Sequence, residues 1–407
     1  MDELGRIGPG EVEWLDVGPA DADDPLEPEP PDRHRHRRRR PVIALVLGLA
    51  ATLIVVAVAR RNDGAHPAAG RTGSPAPSSS TTATPTPTPT PTPAQVVVRN
   101  LGHPLLGVTA GWELFARGKD SVLRIEPARG RITSTALPID LENGGGVSFV
   151  VGPDWAIVRP LDAVAGYLVP DGRPARELSG ALGQASQIYP GPDPGQVWLA
   201  RTNVAPDPIT LVAVTGSHRV LSTLAAPQNG YLVGSDGTGH LLMSSIGGVY
   251  DLLPDGAHRV TTGSVLAVGA TRWLVAECDE RFRCHRVVVD RSTGARRIIP
   301  GPVADTYGPS GVISPDGTTA AVLAAAGYGP PAVDLVDLAT GVERVVGVTV
   351  DPGATDQPLV WSPDSRWLLG AGGSGELFAA DVRSGGVRSL GVTLPTISQL
   401  AIRPAAR

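Results

Sequence analysis

Across residues 96–407 the apolar residues come in short runs of Val, Leu, Ile and Ala, broken by Gly, Pro, Asp and Asn. No stretch there keeps a 3.6-residue period, so the pattern predicts short strands and tight turns rather than helices. One segment differs. Val42 through Ala59 contains no charged residue. At 1.5 Å per residue a helix of that length spans about 27 Å, close to the hydrocarbon core of a bilayer. Residues 41–59 therefore read as a transmembrane helix, with Pro41 tolerated in its first turn. Residues 1–40 and 60–95 have no apolar period of either kind.

The strand-and-turn region repeats. A turn ending in glycine follows an apolar strand at Ala128-Arg129-Gly130, Pro170-Asp171-Gly172, Val214-Thr215-Gly216, Pro254-Asp255-Gly256, Ser292-Thr293-Gly294, Ala339-Thr340-Gly341 and Arg383-Ser384-Gly385. The glycines are 42, 44, 40, 38, 47 and 44 residues apart. A period near 42 suits a unit of four short strands. The clearest units begin at Gly311 and Leu359. Each carries a Ser-Pro-Asp step (Ser314-Pro315-Asp316-Gly317 and Ser362-Pro363-Asp364-Ser365) between its first and second strands. Pro presets φ, Asp bonds nearby backbone, and Gly accepts the exit geometry.

At Ile313 to Gly317 and Trp361 to Ser365 the chain resembles the TolB-like and WD-type β-propellers, whose blades carry a [Trp/Phe]-Ser-Pro-Asp-Gly signature. Val151-Gly152-Pro153-Asp154-Trp155 and Val233-Gly234-Ser235-Asp236-Gly237 are degenerate copies. The resemblance covers roughly residues 102–407 and implies an all-β propeller domain, bounded here at 96–407; counting the repeat turns gives seven blades, with six or eight as the alternatives. The first unit shows only three strands, at Gly111 to Arg117, Val122 to Glu126 and Arg131 to Ala136. The chain ends on a surplus strand, Ile397 to Pro404. We expect that last strand to become the innermost strand of the first blade, leaving no open sheet edge.

Charge divides the remainder. Residues 1–32 hold eleven acidic residues and one Arg, a composition that does not fold, so residues 1–40 read as a disordered acidic and then Arg-rich tail. Within it Val12, Trp14, Leu15 and Val17 are either a stray apolar cluster or a short docking motif. Six arginines at 33–40 abut the apolar segment and outnumber Arg60, Arg61 and Arg71 beyond it. The positive-inside rule then places the N-terminus in the cytoplasm and residues 96–407 outside the cell. A cleaved signal peptide ending at Ala57-Val58-Ala59 is the rival reading, against which stand the 40-residue leader and the length of the apolar stretch. Residues 60–95 form a Ser/Thr/Pro-rich linker. Thr84 to Pro93 alternates Thr and Pro, which favours extended polyproline II. Lys119 is the one lysine among 35 basic residues. That bias is typical of a GC-rich genome, as in actinobacteria, and removes Arg as a functional signal. The net charge of −5 excludes a basic nucleic-acid binder.

Candidate chemistry is sparse. Cys278 and Cys284 flank a hairpin loop containing Asp279, Glu280, Arg281 and Arg283. Opposed strand positions bring them within disulfide reach, and an outside location favours oxidation. A redox pair and a Cys–His metal site with His285 fit the spacing less well. His103, His218, His240 and His258 have no metal-ligand spacing. The turn aspartates read as structural, and no catalytic elbow or phosphate loop is present. Trp112, Trp155, Trp198, Trp273, Trp361 and Trp367 read as packing between blades, or as a sugar-stacking platform. No catalytic, cofactor-binding or metal residue is assigned. The expected function is a membrane-anchored extracytoplasmic scaffold, located at the cell membrane, that binds a protein or cell-envelope ligand and no nucleic acid. The alternatives are a propeller enzyme with a channel-lining site, or a transmembrane sensor acting through the cytoplasmic tail.

Overall fold

The computed structural model describes residues 95–405, apart from 142–145, 162–164, 202–207, 217–218, 228, 304–310, 325–329, 351–357 and 373–374. The described residues belong to one compact unit, Pro87–Arg407. The acidic tail, residues 41–59 and most of the linker lie outside the described residues. No helix among the described residues is long and apolar enough to cross a membrane.

Among the described residues the chain is all-β apart from one turn of 3-10 helix and the five-residue helix Gly180–Gln184. Five sheets hold four or five strands each, and a sixth holds eight. Almost all neighbouring strands pair antiparallel, as a meander does. The eight-stranded sheet consists of two such meanders. They meet where Ser264–Val268 and Gly311–Ile313 run parallel, pairing Ala267 with Gly311 and Val268 with Val312. The two units legible in sequence form as expected. One gives Gly311–Ile313, Thr319–Ala324, Ala332–Asp337 and Glu343–Thr349; the other gives Leu359–Trp361, Trp367–Ala371, Leu377–Asp381 and Val387–Ser389.

The sheets stand side by side in a closed, propeller-like ring. The first strands of most neighbouring meanders pack on one another, Val147–Val151 on Gln187–Pro190, Gln187–Pro190 on Tyr231–Ser235, Ser264–Val268 on Gly311–Ile313 and Gly311–Ile313 on Leu359–Trp361. Between Tyr231–Ser235 and Ser264–Val268 the link runs through Gly248–Leu253, which packs against Ser264–Val268. The strand Ile397–Arg403 completes the circle, packing against both Val147–Val151 and Leu359–Trp361. It pairs antiparallel with Glu113–Gly118, aligning Leu114 with Ile402 and Ala116 with Leu400. The last strand of the chain is thus the innermost strand of the first sheet. Sequence patterning missed one partner: Val96–Asn100 adds a fifth, outermost strand to this sheet, pairing with Arg131–Ala136. Val97 and Val98 are largely exposed there, so the segment lacks the burial alternation that marks a strand.

The core is a set of apolar layers between sheets. Leu114, Ile125, Trp367, Leu369, Ile397 and Leu400 fill one layer; Trp198, Ile209, Leu241 and Leu252 fill another. The six tryptophans of the ring are all buried, so they form packing and not an exposed sugar platform. Three of them also donate across a sheet interface. Trp198 Nε1 donates to Gly239 O at 2.6 Å, Trp273 Nε1 to Asp236 O at 3.3 Å, and Trp361 Nε1 to Val312 O at 3.0 Å.

The repeat turns follow the same logic. All seven glycines that set the period have positive φ, from 59° at Gly130 to 140° at Gly256, where a side chain is strained. In the Ser-Pro-Asp steps the serine does more than its sequence position discloses. Ser362 Oγ accepts from Trp367 N–H at 2.9 Å and donates to Asp364 Oδ1 at 2.5 Å; Ser314 makes the same pair of bonds with Thr319 and Asp316. Ser365 stands where glycine is expected and holds φ 56°. Its hydroxyl accepts from Asp316 N–H at 3.0 Å, tying two adjacent turns together.

Deleting the chain after Pro395 removes the closing strand and exposes Leu114, Ala116 and both neighbouring inner strands. The deletion is expected to abolish cooperative thermal unfolding; a truncated chain with the parent Tm would show that the ring closes by other means.

Candidate functional site

Two charge clusters and one groove stand out among the described residues. The first cluster brackets the closing strand. Arg403 donates from Nη1 to Glu113 Oε2 at 2.9 Å and to Asp171 Oδ2 at 2.6 Å, and from Nη2 to Asp171 Oδ1 at 3.1 Å and Trp155 O at 3.3 Å. Its guanidinium lies 4.4 Å from the centre of the Phe115 ring. Arg124 completes the square, bonding Glu113 and approaching Asp171 at 3.0 Å. Two cations thus alternate with two carboxylates drawn from the C-terminal strand, the first sheet and the second sheet. Asp171 is the aspartate of a Pro-Asp-Gly turn, so its structural role extends beyond the turn. Below this square Arg117 Nε donates to Gln399 Oε1 at 2.5 Å, and Gln399 Nε2 donates to Val147 O at 2.7 Å.

The second cluster joins the sheet of Tyr231–Ser235 to the one beside it. Asp236, from a degenerate turn motif, is fully buried. Its Oδ1 accepts from the N–H groups of Thr238 at 2.7 Å and His240 at 2.9 Å. Its Oδ2 accepts from Thr238 Oγ1 at 2.6 Å and from Arg291. Arg291 also donates to the carbonyls of Asp236 at 2.8 Å and Gly269 at 3.1 Å, and stacks 4.5 Å from the Trp273 ring centre. Asp251, also buried, lies 3.5 Å from Arg291, and its Oδ1 has no hydrogen-bond partner. One guanidinium therefore serves two buried carboxylates. Burial raises the pKa of Asp236, but the Thr238 bonds and the Arg291 charge outweigh it and hold it below the usual range. Asp251 is pushed up to about 6, by burial first and by Asp236 second. His240 Nδ1 lies 2.9 Å from Thr238 Oγ1 and 3.5 Å from Asp236 Oδ2. It is part of this network, whereas the sequence alone presented it as a scattered histidine. Its contacts lie within one turn, two and four residues away; what no spacing exposes is the approach of Arg291 from the neighbouring sheet.

A perturbed carboxylate in a network is a common mark of a functional site. Here the bonds of Asp236 to Thr238 and His240 fix its turn, and those of Arg291 and Trp273 tie that turn to the neighbouring sheet, which defines a brace. The other expected residues do not assemble either. His258 stands opposite Asp251 in its strand pair but bonds Asp255 at 3.0 Å, His103 Nδ1 lies 3.2 Å from the Pro104 carbonyl, and His218 lies outside the described residues. Among the described residues no group of three or more His, Cys, Asp or Glu side chains is placed to hold a metal ion. Cys278 and Cys284 oppose one another at the end of the hairpin Arg272–Cys278 and Cys284–Asp290, and the structure joins them by a disulfide. Beside them lies an open groove of about 360 Å³, lined by Glu277, Cys278, Asp279, His285, Val287, Arg296 and Ile298. Glu277 is committed to Thr261 and Arg296, and is not a free base.

The ring of antiparallel sheets with its closing strand defines a β-propeller. No protein-family model matches the chain, and no curated protein matches it. Solved structures do. TolB from Acinetobacter baumannii is similar with a TM-score of 0.40 and 14% identity, over 74% of this chain and 68% of that one. A putative 6-phosphogluconolactonase from Bacteroides fragilis aligns with a TM-score of 0.44 and 12% identity, over 73% and 99%. A protein of unknown function from Desulfotomaculum acetoxidans aligns with a TM-score of 0.46 and 13% identity, over 72% and 99%.

The raised pKa of Asp251 has a definite sign. Between its ordinary value of 3.8 and about 6 the folded chain binds more protons at this site than the unfolded chain. This group's contribution to stability is therefore greatest at low pH and is lost as pH rises through 6. Asp236 acts oppositely, stabilising above its ordinary pKa and less as pH falls. Replacing Asp251→Asn should raise Tm at pH 7.5 by roughly 2–4 °C and change it little at pH 4; a lower Tm at pH 7.5 would mean the carboxylate is a net stabiliser of Arg291.

Proposed function

We propose that the chain is a membrane-anchored, extracytoplasmic propeller that binds a protein or cell-envelope ligand without chemical turnover. The observation that carries this reading is the composition of the innermost strands. Val147–Val151, Gln187–Pro190, Tyr231–Ser235, Ser264–Val268, Gly311–Ile313, Leu359–Trp361 and Ile397–Arg403 contain no Asp, Glu or His. Their half-buried positions include Ser148, Tyr189, Val233, Val312 and Val360. Such strands give a channel hydrogen-bonding and apolar contacts but no general acid or base. Arg403 is their one charged residue, and it is held by Glu113 and Asp171.

On this reading the eight-stranded sheet is two neighbouring blades in contact, and the ring has seven blades. The uncharged stretch 41–59, with six arginines before it, supports an anchor with the N-terminus inside and the propeller outside. That location suits an oxidised Cys278–Cys284 pair.

Two measurements test the proposal together. A photo-reactive phenylalanine at Tyr189 should cross-link a discrete partner in living cells, and the unreduced chain should show no thiol reactive towards maleimide. Turnover of lactones, glycosides or esters by the purified chain, abolished by changing a residue of the innermost strands, would overturn the scaffold reading; two reactive thiols would overturn the disulfide.

A further inference from the structure

We propose that the face of the propeller carrying the Cys278–Cys284 loop docks on the surface of a lipid bilayer. The inference rests on the membrane-anchor reading of residues 41–59.

Strand direction defines this face. In each meander the connection from second to third strand, and the connection on to the next meander, lie at the same end. The loop 279–283 joins the second strand Arg272–Cys278 to the third, Cys284–Asp290. In the adjacent meander Ile246-Gly247 makes the same connection, between Leu241–Ser245 and Gly248–Leu253. These two turns therefore stand on neighbouring parts of one face. Their tips are the two most exposed large apolar side chains among the described residues: Phe282 is 89% exposed and Ile246 is 84% exposed. Tyr231 and Ile298, at strand ends on the same face, are also more than half exposed. Scattered exposed apolar residues are ordinary, but a group on adjacent tips marks a contact surface.

The tip is held in place. Asp279 Oδ1 accepts from the N–H groups of Arg281 and Arg283, both at 2.9 Å, and Oδ2 accepts from Arg283 Nε at 2.8 Å. Phe282 N–H donates to Asp279 O at 2.9 Å. Phe282 itself has φ 59°, a conformation that costs free energy in a non-glycine residue. The disulfide closes the base of the loop. A rigid loop thus presents an aromatic ring to the surroundings without packing it. Its charges cancel, Asp279 against Arg283 and Glu280 beside Arg281, so no net charge opposes entry into a headgroup layer.

The path of the chain selects a bilayer over other surfaces. Val96–Asn100 runs antiparallel to Arg131–Ala136, with Val96 opposite Thr135. Val96 therefore enters the ring on the face of the loop 279–283, and the linker to residues 41–59 leaves from there. A tether that enters on this face raises the effective concentration of a bilayer there over that of any free partner.

The test uses the full chain in nanodiscs of phosphatidylethanolamine and phosphatidylglycerol. Phe282→Trp adds one indole at the tip, whereas the six native ring tryptophans are buried. Brominated lipid should quench the added emission at least twofold relative to the native chain, and Ile246→Asp in the same background should relieve the quenching. Added emission that is unquenched while the chain resists alkaline extraction overturns the docking and leaves the anchor standing. Emission that is shielded yet unquenched points to a protein partner and also overturns it. Loss of the chain from the discs on alkaline extraction overturns both readings.

Discussion

A ring of sheets built from consecutive meanders brings its first and last units together, and here a strand from the far end of the chain joins them. In this protein that strand is Ile397–Arg403. It lies inside Glu113–Gly118, nearly 300 residues away in sequence, and touches the innermost strands on either side. Leu400 and Ile397 are fully buried, which supplies the apolar part of the closure. Arg403 supplies the polar part through Glu113, Asp171 and the Trp155 carbonyl. The pairing also removes two exposed edges at once, the inner edge of the first sheet and that of the closing strand.

Once the ring is closed, the interfaces between sheets carry its order. Each interface whose bonds are described combines an apolar layer with a polar tie from a tryptophan, arginine or serine to backbone on the neighbouring sheet. These ties position turns that otherwise depend only on their own short sequences. The Asp236 cluster is the most elaborate tie and the least economical. Burial first, and the neighbouring Asp236 charge second, make Asp251 hold a proton more readily than a free side chain does, and the single arginine offsets this only in part. Buried ion networks of this kind set which surfaces meet more than they add stability.

Much of this was legible in the residues. Glycine at a 42-residue spacing marked turns whose positive φ only glycine adopts without strain, and the surplus apolar run after Pro395 marked the closing strand. The two Ser-Pro-Asp units declared their strands because Pro, Asp and the following residue act within a few positions. Contacts between distant residues were not legible. Asp171 looks like any turn aspartate until Arg403 and Arg124 are beside it, and Asp236 looks like another until Arg291 reaches it from the neighbouring sheet. Val96–Asn100 escaped because an outermost strand buries little and so shows no alternation. Exposure of Phe282 is likewise a property of the folded loop, since an aromatic residue between two arginines in sequence is equally compatible with a buried site.

Function follows the same division. The innermost strands contain no Asp, Glu or His, while Arg403, Asp171, Arg291 and Asp236 are engaged in holding sheets together. The dependence of the whole on one strand is tested most directly by native-state hydrogen exchange at those amides of Ile397–Arg403 that donate to Glu113–Gly118. If Ile397–Arg403 closes the ring, these amides exchange only through global unfolding, with the same free energy as Phe115 and Ala116. Exchange of the strand well before its partners would contradict closure as the constraint on which the ring depends.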